Sequence, residues 1–164
     1  MPPIQLDFRP NDDWLLYASF NRGVKGTGFN APFGSDNSVF TDSLMEYDAE
    51  TLHAYETGFK SSLFGGRARF NATLFYYDYD DFQAFTIVGL TTNMVNSQAE
   101  SIGAEFEIQA TPMDGLDFLF GAAYLDNEVE PPGGIDTVSV QSPKWNVNGL
   151  LRYGWDAMGG RLAI

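Results

Sequence analysis

Residues 50–83 read ETLHAYETGFKSSLFGGRARFNATLFYYDYDDFQ, and their alternation limits the fold more than any other stretch. On the second arm Ala68, Phe70, Ala72, Leu74 and Tyr76 share one parity, while Arg69, Asn71, Thr73, Phe75 and Tyr77 share the other. A period of two is that of a strand whose two faces meet different surroundings. On the first arm Tyr55, Thr57, Phe59, Ser61 and Leu63 oppose Glu56, Gly58, Lys60 and Ser62, so charge falls on one face only. Gly65-Gly66 supplies a two-residue turn, since both glycines tolerate positive φ. With Phe64 paired to Arg67, the register sets Leu63 opposite Ala68, Phe59 opposite Ala72 and Tyr55 opposite Tyr76. A slip of one residue would send every side chain of one arm to the wrong face.

The same pattern recurs along the chain. Ile4–Phe8 ends a strand before a turn at Pro10–Asp13, and a strand from Trp14 to Arg22 sets Trp14, Leu16, Ala18 and Phe20 against Tyr17, Ser19 and Asn21. A breaker-rich stretch follows, and composition over Ser43–Tyr55 allows a short helix, although a loop into a strand near Thr51 is the better reading. Asp80–Gln98 reads as a long connection. Ile102, Ala104, Phe106 and Ile108 then alternate with Ser101, Gly103, Glu105 and Glu107, and the partner strand Leu116–Leu125 carries Phe118, Phe120, Ala122 and Tyr124 on its uncharged face. Both uncharged sets are even-numbered, which predicts an odd-length turn at Asp114-Gly115 with Gly115 in the left-handed region. A loop over Asp126–Pro143, a strand Lys144–Trp155, a turn at Asp156–Gly160 and a strand beginning at Arg161 complete the chain. The fold class is all-β: an antiparallel up-and-down meander of about six full strands with partial strands at both ends.

Short turns at Asn11, Gly65, Asp114 and Gly159 alternate with long loops after Gly23, Asp80 and Asp126, the rhythm of outer-membrane barrels. The uncharged faces end in Trp14, Tyr76, Tyr124, Trp145 and Trp155, matching aromatic belts at a membrane interface. A β-sandwich uses the same alternation with the apolar face turned inward, so periodicity by itself leaves that alternative open. The stretches LLYASFNRGVKGTGFN, Glu50–Gln83 and Ala99–Glu107 together resemble the barrel of TonB-dependent receptors of the bacterial outer membrane. Gly26-Thr27-Gly28 departs mildly from that family's double glycine.

Composition narrows the function. A net charge of -13 opposes nucleic-acid binding, which needs a basic footprint. The absence of Cys rules out disulfide frameworks and thiolate metal sites. No run approaches the ~20 apolar residues of a membrane helix, and Met1-Pro-Pro does not open a signal peptide, so the segment reads as part of a longer precursor. His53, the one histidine, reads as a strand residue near the rim, and Asp78, Asp80 and Asp81 lack the glycine and distal glutamate of a calcium loop. No nucleophile elbow or phosphate loop is present, and Asn71-Ala72-Thr73 lies inside a strand. These features predict no enzyme, no cofactor and no resident metal.

The resemblance implies one barrel domain over residues 1–164, with a plug domain elsewhere in the parent chain, and a 22-stranded barrel that this segment alone cannot close. It implies an active transporter for a ferric siderophore or another scarce nutrient, with outer-membrane lipid, the plug and, through the N-terminal part, the TonB complex as partners. Glu56, Lys60, Arg69, Glu105, Glu107, Lys144 and Arg152 are then expected on the wall facing the plug. Phe29, Asn30, Phe33, Tyr47, Phe82, Phe85, Asn93 and Asn96 are candidate ligand contacts on the outer loops. A porin-like or adhesin barrel and a soluble secreted β-sandwich are the alternatives.

Overall fold

The computed structural model describes residues 2–30, 45–88, 91–130 and 142–164. Its strands are β1 (Ile4–Asn11), β2 (Trp14–Lys25), β3 (Gly28–Phe29), β4 (Glu46–Tyr47), β5 (Glu50–Leu63), β6 (Ala68–Val88), β7 (Thr91–Met113), β8 (Leu116–Glu130), β9 (Trp145–Ala157) and β10 (Gly160–Ala163). Eight of them form one antiparallel sheet in the order β1-β2-β5-β6-β7-β8-β9-β10, while β3 and β4 pair as a stem within the β2–β5 connection. Every neighbour in the large sheet is the next strand of the meander, and six long strands are flanked by the short β1 and β10.

Register carries the alternation across the whole sheet. Phe8, Leu16, Phe59, Ala72, Phe106, Ala122 and Val147 are successive cross-strand partners. One residue away, the partners are Leu15, Lys60, Asn71, Glu107, Gly121 and Asn148. An apolar row therefore lies back to back with a polar one, as the central hairpin predicts. Leu63 pairs with Ala68 and Tyr55 with Tyr76, as its turn chemistry requires. Gly65 and Gly66 have φ of 65° and 86°, the two positive values of a type I′ turn. Phe64 and Arg67 close that turn through a 3.4 Å Arg67 N to Phe64 O bond, but they lie outside the strands, and Phe64 is itself left-handed at 57°.

Two sequence readings are corrected. The Asp114-Gly115 turn holds two residues, with Met113 paired to Leu116. The odd residue is absorbed instead by a bulge between Ala110 and Met113, where Pro112 has no N–H to offer the ladder. Phe8–Asn11 repeats the device around Pro10. Gly115 has the expected left-handed backbone, φ 85°.

The second correction concerns Asp80–Gln98. It is no loop: β6 and β7 continue as a hairpin to Val88 and Thr91. A register shift between Tyr79 and Phe82, with Asp81 at φ 55°, reverses parity there and breaks the alternation that marks a strand in the sequence. The Pro131–Gly134 loop lies outside the described residues.

Candidate functional site

The sheet lacks the core that a soluble protein of this size builds. Among the described residues the buried apolar side chains are Ala54, Ala99 and Val129, and no large one is fully enclosed. The large apolar side chains are instead exposed on one face: Leu6 72 %, Phe8 66 %, Leu74 59 %, Val147 62 % and Leu151 68 %. Trp14, Phe59, Phe70, Phe106 and Phe120 run across this face as a chain of ring contacts with centroid separations of 5.5, 5.1, 4.6 and 6.4 Å. A contiguous apolar sheet face of this extent needs an apolar medium against it. Aromatic pairs mark its limits: Tyr55 with Tyr76 at 6.3 Å and Tyr124 with Trp145 at 4.9 Å across neighbouring strands, and Tyr153 with Trp155 at 5.8 Å along β9.

The opposite face is polar and close-knit. Tyr17 and Thr73 share a 2.8 Å hydroxyl hydrogen bond, and Tyr77 donates to Glu56 at 2.7 Å. Glycines at the same parity leave room for these rings: a Cβ at Gly58 would meet Tyr17, and one at Gly103 would meet Phe75. Aromatics thus lie flat along the wall instead of filling the interior. Between β6 and β9 a recess of about 440 Å³ opens, lined by Asn71, Thr73, Glu105, Glu107, Asn146 and Asn148 among others. Gln109 donates to Glu107 at 2.6 Å, and the Lys60 ammonium sits 6.0 Å from the Tyr17 ring centroid. The side chains of Glu105, Arg69 and Arg152 make no hydrogen bond or ion pair among the described residues. Six of the seven residues expected on a plug-facing wall, Glu56, Lys60, Arg69, Glu105, Glu107 and Arg152, occupy one face. Lys144 precedes β9 and pairs at 2.8 Å with Asp126, one step past Tyr124 on the apolar parity of β8. The Lys144 hydrogen bond holds the Asp126 carboxyl below its ordinary value, and the same bond raises the Lys144 ammonium.

At the end opposite the short turns, the β2–β5 connection folds against the β6–β7 hairpin. The Gln83 side-chain amide donates to Gly26 O at 2.8 Å and Asp48 O at 3.0 Å. Asn96 accepts from Asp48 N at 2.7 Å and donates to Asp48 O at 3.1 Å and Asp81 O at 2.8 Å. Asn30 takes both backbone groups of Met94, each at 2.7 Å. Of the candidate ligand contacts, Asn30 and Asn96 thus hold neighbouring backbone, and Asn93 is buried. Phe82 packs against Tyr79 at 5.4 Å, and Tyr47 sits beside Gly28 in the stem. Phe29 and Phe85 stand 72 % and 75 % exposed, and Phe33 lies outside the described residues. Gln83, buried at this rim, gives no sign of its role in sequence, because its side-chain partners are backbone carbonyls remote along the chain.

His53 stacks on Phe20, with Nδ1 3.6 Å from Asp80. Among the described residues no group of three His, Cys, Asp or Glu side chains is placed to hold a metal.

The family described as TonB dependent receptor-like, beta-barrel matches residues 2–163. This chain belongs to that family. The TonB-dependent receptor barrel also appears among solved structures. The ferric yersiniabactin uptake receptor FyuA from Yersinia pestis superposes with a TM-score of 0.76 at 20% identity, over 98% of this chain and 24% of that one. BauA, the ferric preacinetobactin receptor from Acinetobacter baumannii, gives 0.74 at 18% identity, over 99% and 24%. The pyoverdine outer membrane receptor FpvA from Pseudomonas aeruginosa gives 0.68 at 18%, over 95% and 22%. The chain spans about a quarter of the length of these receptors. Family membership accounts for the inverted polarity: the apolar face is the outside of a barrel and the polar face its inside.

Proposed function

We propose that the chain is a stretch of barrel wall from an outer-membrane, TonB-dependent transporter that takes up a ferric siderophore or a comparably scarce nutrient. The observation that carries this reading is the two-faced wall, apolar and exposed outside, polar and partly unpaired inside, in a chain of the receptor-barrel family. On this reading residues 1–164 are one part of a single barrel domain. β1 and β10, the two edges of the sheet, continue into further strands of the parent. Open edges left unpaired favour self-association, so the segment alone does not transport.

The inner wall then faces a plug domain of the same parent. Glu105, Arg69 and Arg152 present charges that cation- and anion-bearing plug side chains would neutralise, and Glu56, Lys60 and Glu107 frame them. The short turns lie on the periplasmic side, and on the opposite, outer side the β2–β5 connection and β6–β7 hairpin meet the ligand, with Phe29 and Phe85 as the accessible rings. The TonB complex engages the N-terminal part of the parent. The test is iron-limited growth and uptake of radiolabelled ferric siderophores by cells carrying the full-length protein, with and without TonB. Uptake that is saturable and lost without TonB is the expected result. Solute flux that is linear in concentration and indifferent to TonB would identify a passive pore and overturn the reading.

A further inference from the structure

We infer that the base of the β2–β5 connection, residues 26–30 and 45–49, and the β6–β7 hairpin form one latched unit, with Gln83, Asn96 and Asn30 as its positioning residues. The inference rests on the reading above only for the side of the membrane on which the latch stands.

The base of the β2–β5 connection is a stem. Gly28 pairs with Tyr47, the Thr27 hydroxyl donates to Tyr47 O at 2.6 Å, and Asn30 N donates to Met45 O at 2.8 Å. Gln83, 5 % exposed, reaches from β6 to carbonyls at both ends of that stem, Gly26 at its entry and Asp48 at its exit. One amide therefore holds the two ends of that stem together and ties them to the hairpin. Asn96, the cross-strand partner of Gln83, holds the Asp48 backbone by both its groups and also bonds Asp81 O, where the β6 bulge displaces that carbonyl from the ladder. Farther out Asn30 occupies Met94 N and O as a neighbouring strand residue would, which blunts a β7 edge that β8 no longer covers.

All three latch side chains are neutral amides, each making two or more bonds to backbone. Pairwise ordering of this kind is insensitive to salt, unlike exposed ion pairs. Among the described residues the charged tie at the base of the connection, Lys25 to Glu50 at 3.8 Å, is long, although Glu50 also accepts from Gln83 N at 2.9 Å. Phe29 on the stem and Phe85 on the hairpin are consequently carried at a fixed separation.

The experiment uses the full-length protein in detergent or vesicles, with spin labels at Phe29→Cys and Phe85→Cys and no ligand present. Wild-type latch residues should give one narrow distance distribution, unchanged between low and high salt. Gln83→Ala with Asn96→Ala should broaden it while the barrel still shows its folded mobility on unheated gels. Asn30→Ala, a milder change, should speed hydrogen exchange at the Met94 amide by about tenfold, the loss of one hydrogen bond. A broad distribution in the wild type, one narrowed only at low salt, or no change at Met94 in the Asn30 variant would overturn the latch. None of these readings depends on uptake, so the latch and the transport reading fail separately.

Discussion

A lysine placed at Phe106 should destabilise the barrel far more than one placed a single residue away, at Glu107. Phe106 is the midpoint of the β7 lipid-side set, four residues from Ile102 and four from Ala110. At about 3.4 Å per residue that is about 14 Å of strand, or about 10 Å of height at a tilt near 45°. Its side chain therefore sits near the middle of an apolar band about 25 Å tall. Phe106→Ala removes ring contacts to Phe70 at 4.6 Å and Phe120 at 6.4 Å. Those two contacts are worth about 0.5–1.5 kcal/mol each. Phe106→Lys adds about 2–4 kcal/mol for a cation at the midplane. Ile102→Lys, at the rim of the same strand, should add only about 0–1 kcal/mol. Glu107→Lys faces the wet interior and forfeits the 2.6 Å bond from Gln109, about 1 kcal/mol. Reversible denaturant unfolding of the full-length protein in phospholipid vesicles reads all four. Equal losses for Phe106→Lys and Ile102→Lys, or for Phe106→Lys and Glu107→Lys, would refute the assignment of faces and depth.

Two further predictions follow from local geometry. Gly115→Ala should cost more than Gly65→Ala, although both glycines are left-handed, because a Cβ at Gly115 runs into Gly154 O while nothing lies within 4 Å at Gly65. The left-handed strain is about 1–2 kcal/mol in each, with about 1–3 kcal/mol of overpacking added at Gly115. Equal midpoints in denaturant would show that the β7–β8 turn gives way. The Asp126–Lys144 pair makes stability depend on pH at both extremes. Asp126, lowered from 3.8, contributes above that value and loses its contribution as pH falls through its folded value; Lys144, raised from 10.5, contributes below that value and loses it as pH rises through its own. A Lys144→Met variant should accordingly differ from wild type near neutral pH and converge with it in acid; a difference that survives acid would place the contribution elsewhere.

The legible part of the fold is the part encoded at period two. Ala68–Tyr76 and Ile102–Ile108 announce their faces without reference to any partner, and the Gly65-Gly66 turn fixes the register between the β5 and β6 arms to the residue. The upper hairpin was illegible because one left-handed residue, Asp81, flips the parity beyond it, and Asn93 and Asn96 have the composition of a loop. Pro112 hid a bulge in the same way, displacing an odd residue from the turn into the strand. At the candidate site, parity alone groups Glu56, Lys60, Arg69, Glu105, Glu107 and Arg152 on one face, whereas the bonds of Gln83, Asn96 and Asn30 escape it, since a side-chain amide bonding a backbone group dozens of residues away leaves no periodic trace.

By itself, then, the sequence determined the strands, their faces and the family, because alternation and turn chemistry are local properties of the chain. Tertiary structure decided where bulges absorb a change of parity, which rings lie flat over Gly58 and Gly103, and how two outer connections are tied together. Those features depend on backbone atoms brought into contact by sheet register and twist, and such contacts exist only once the wall is assembled.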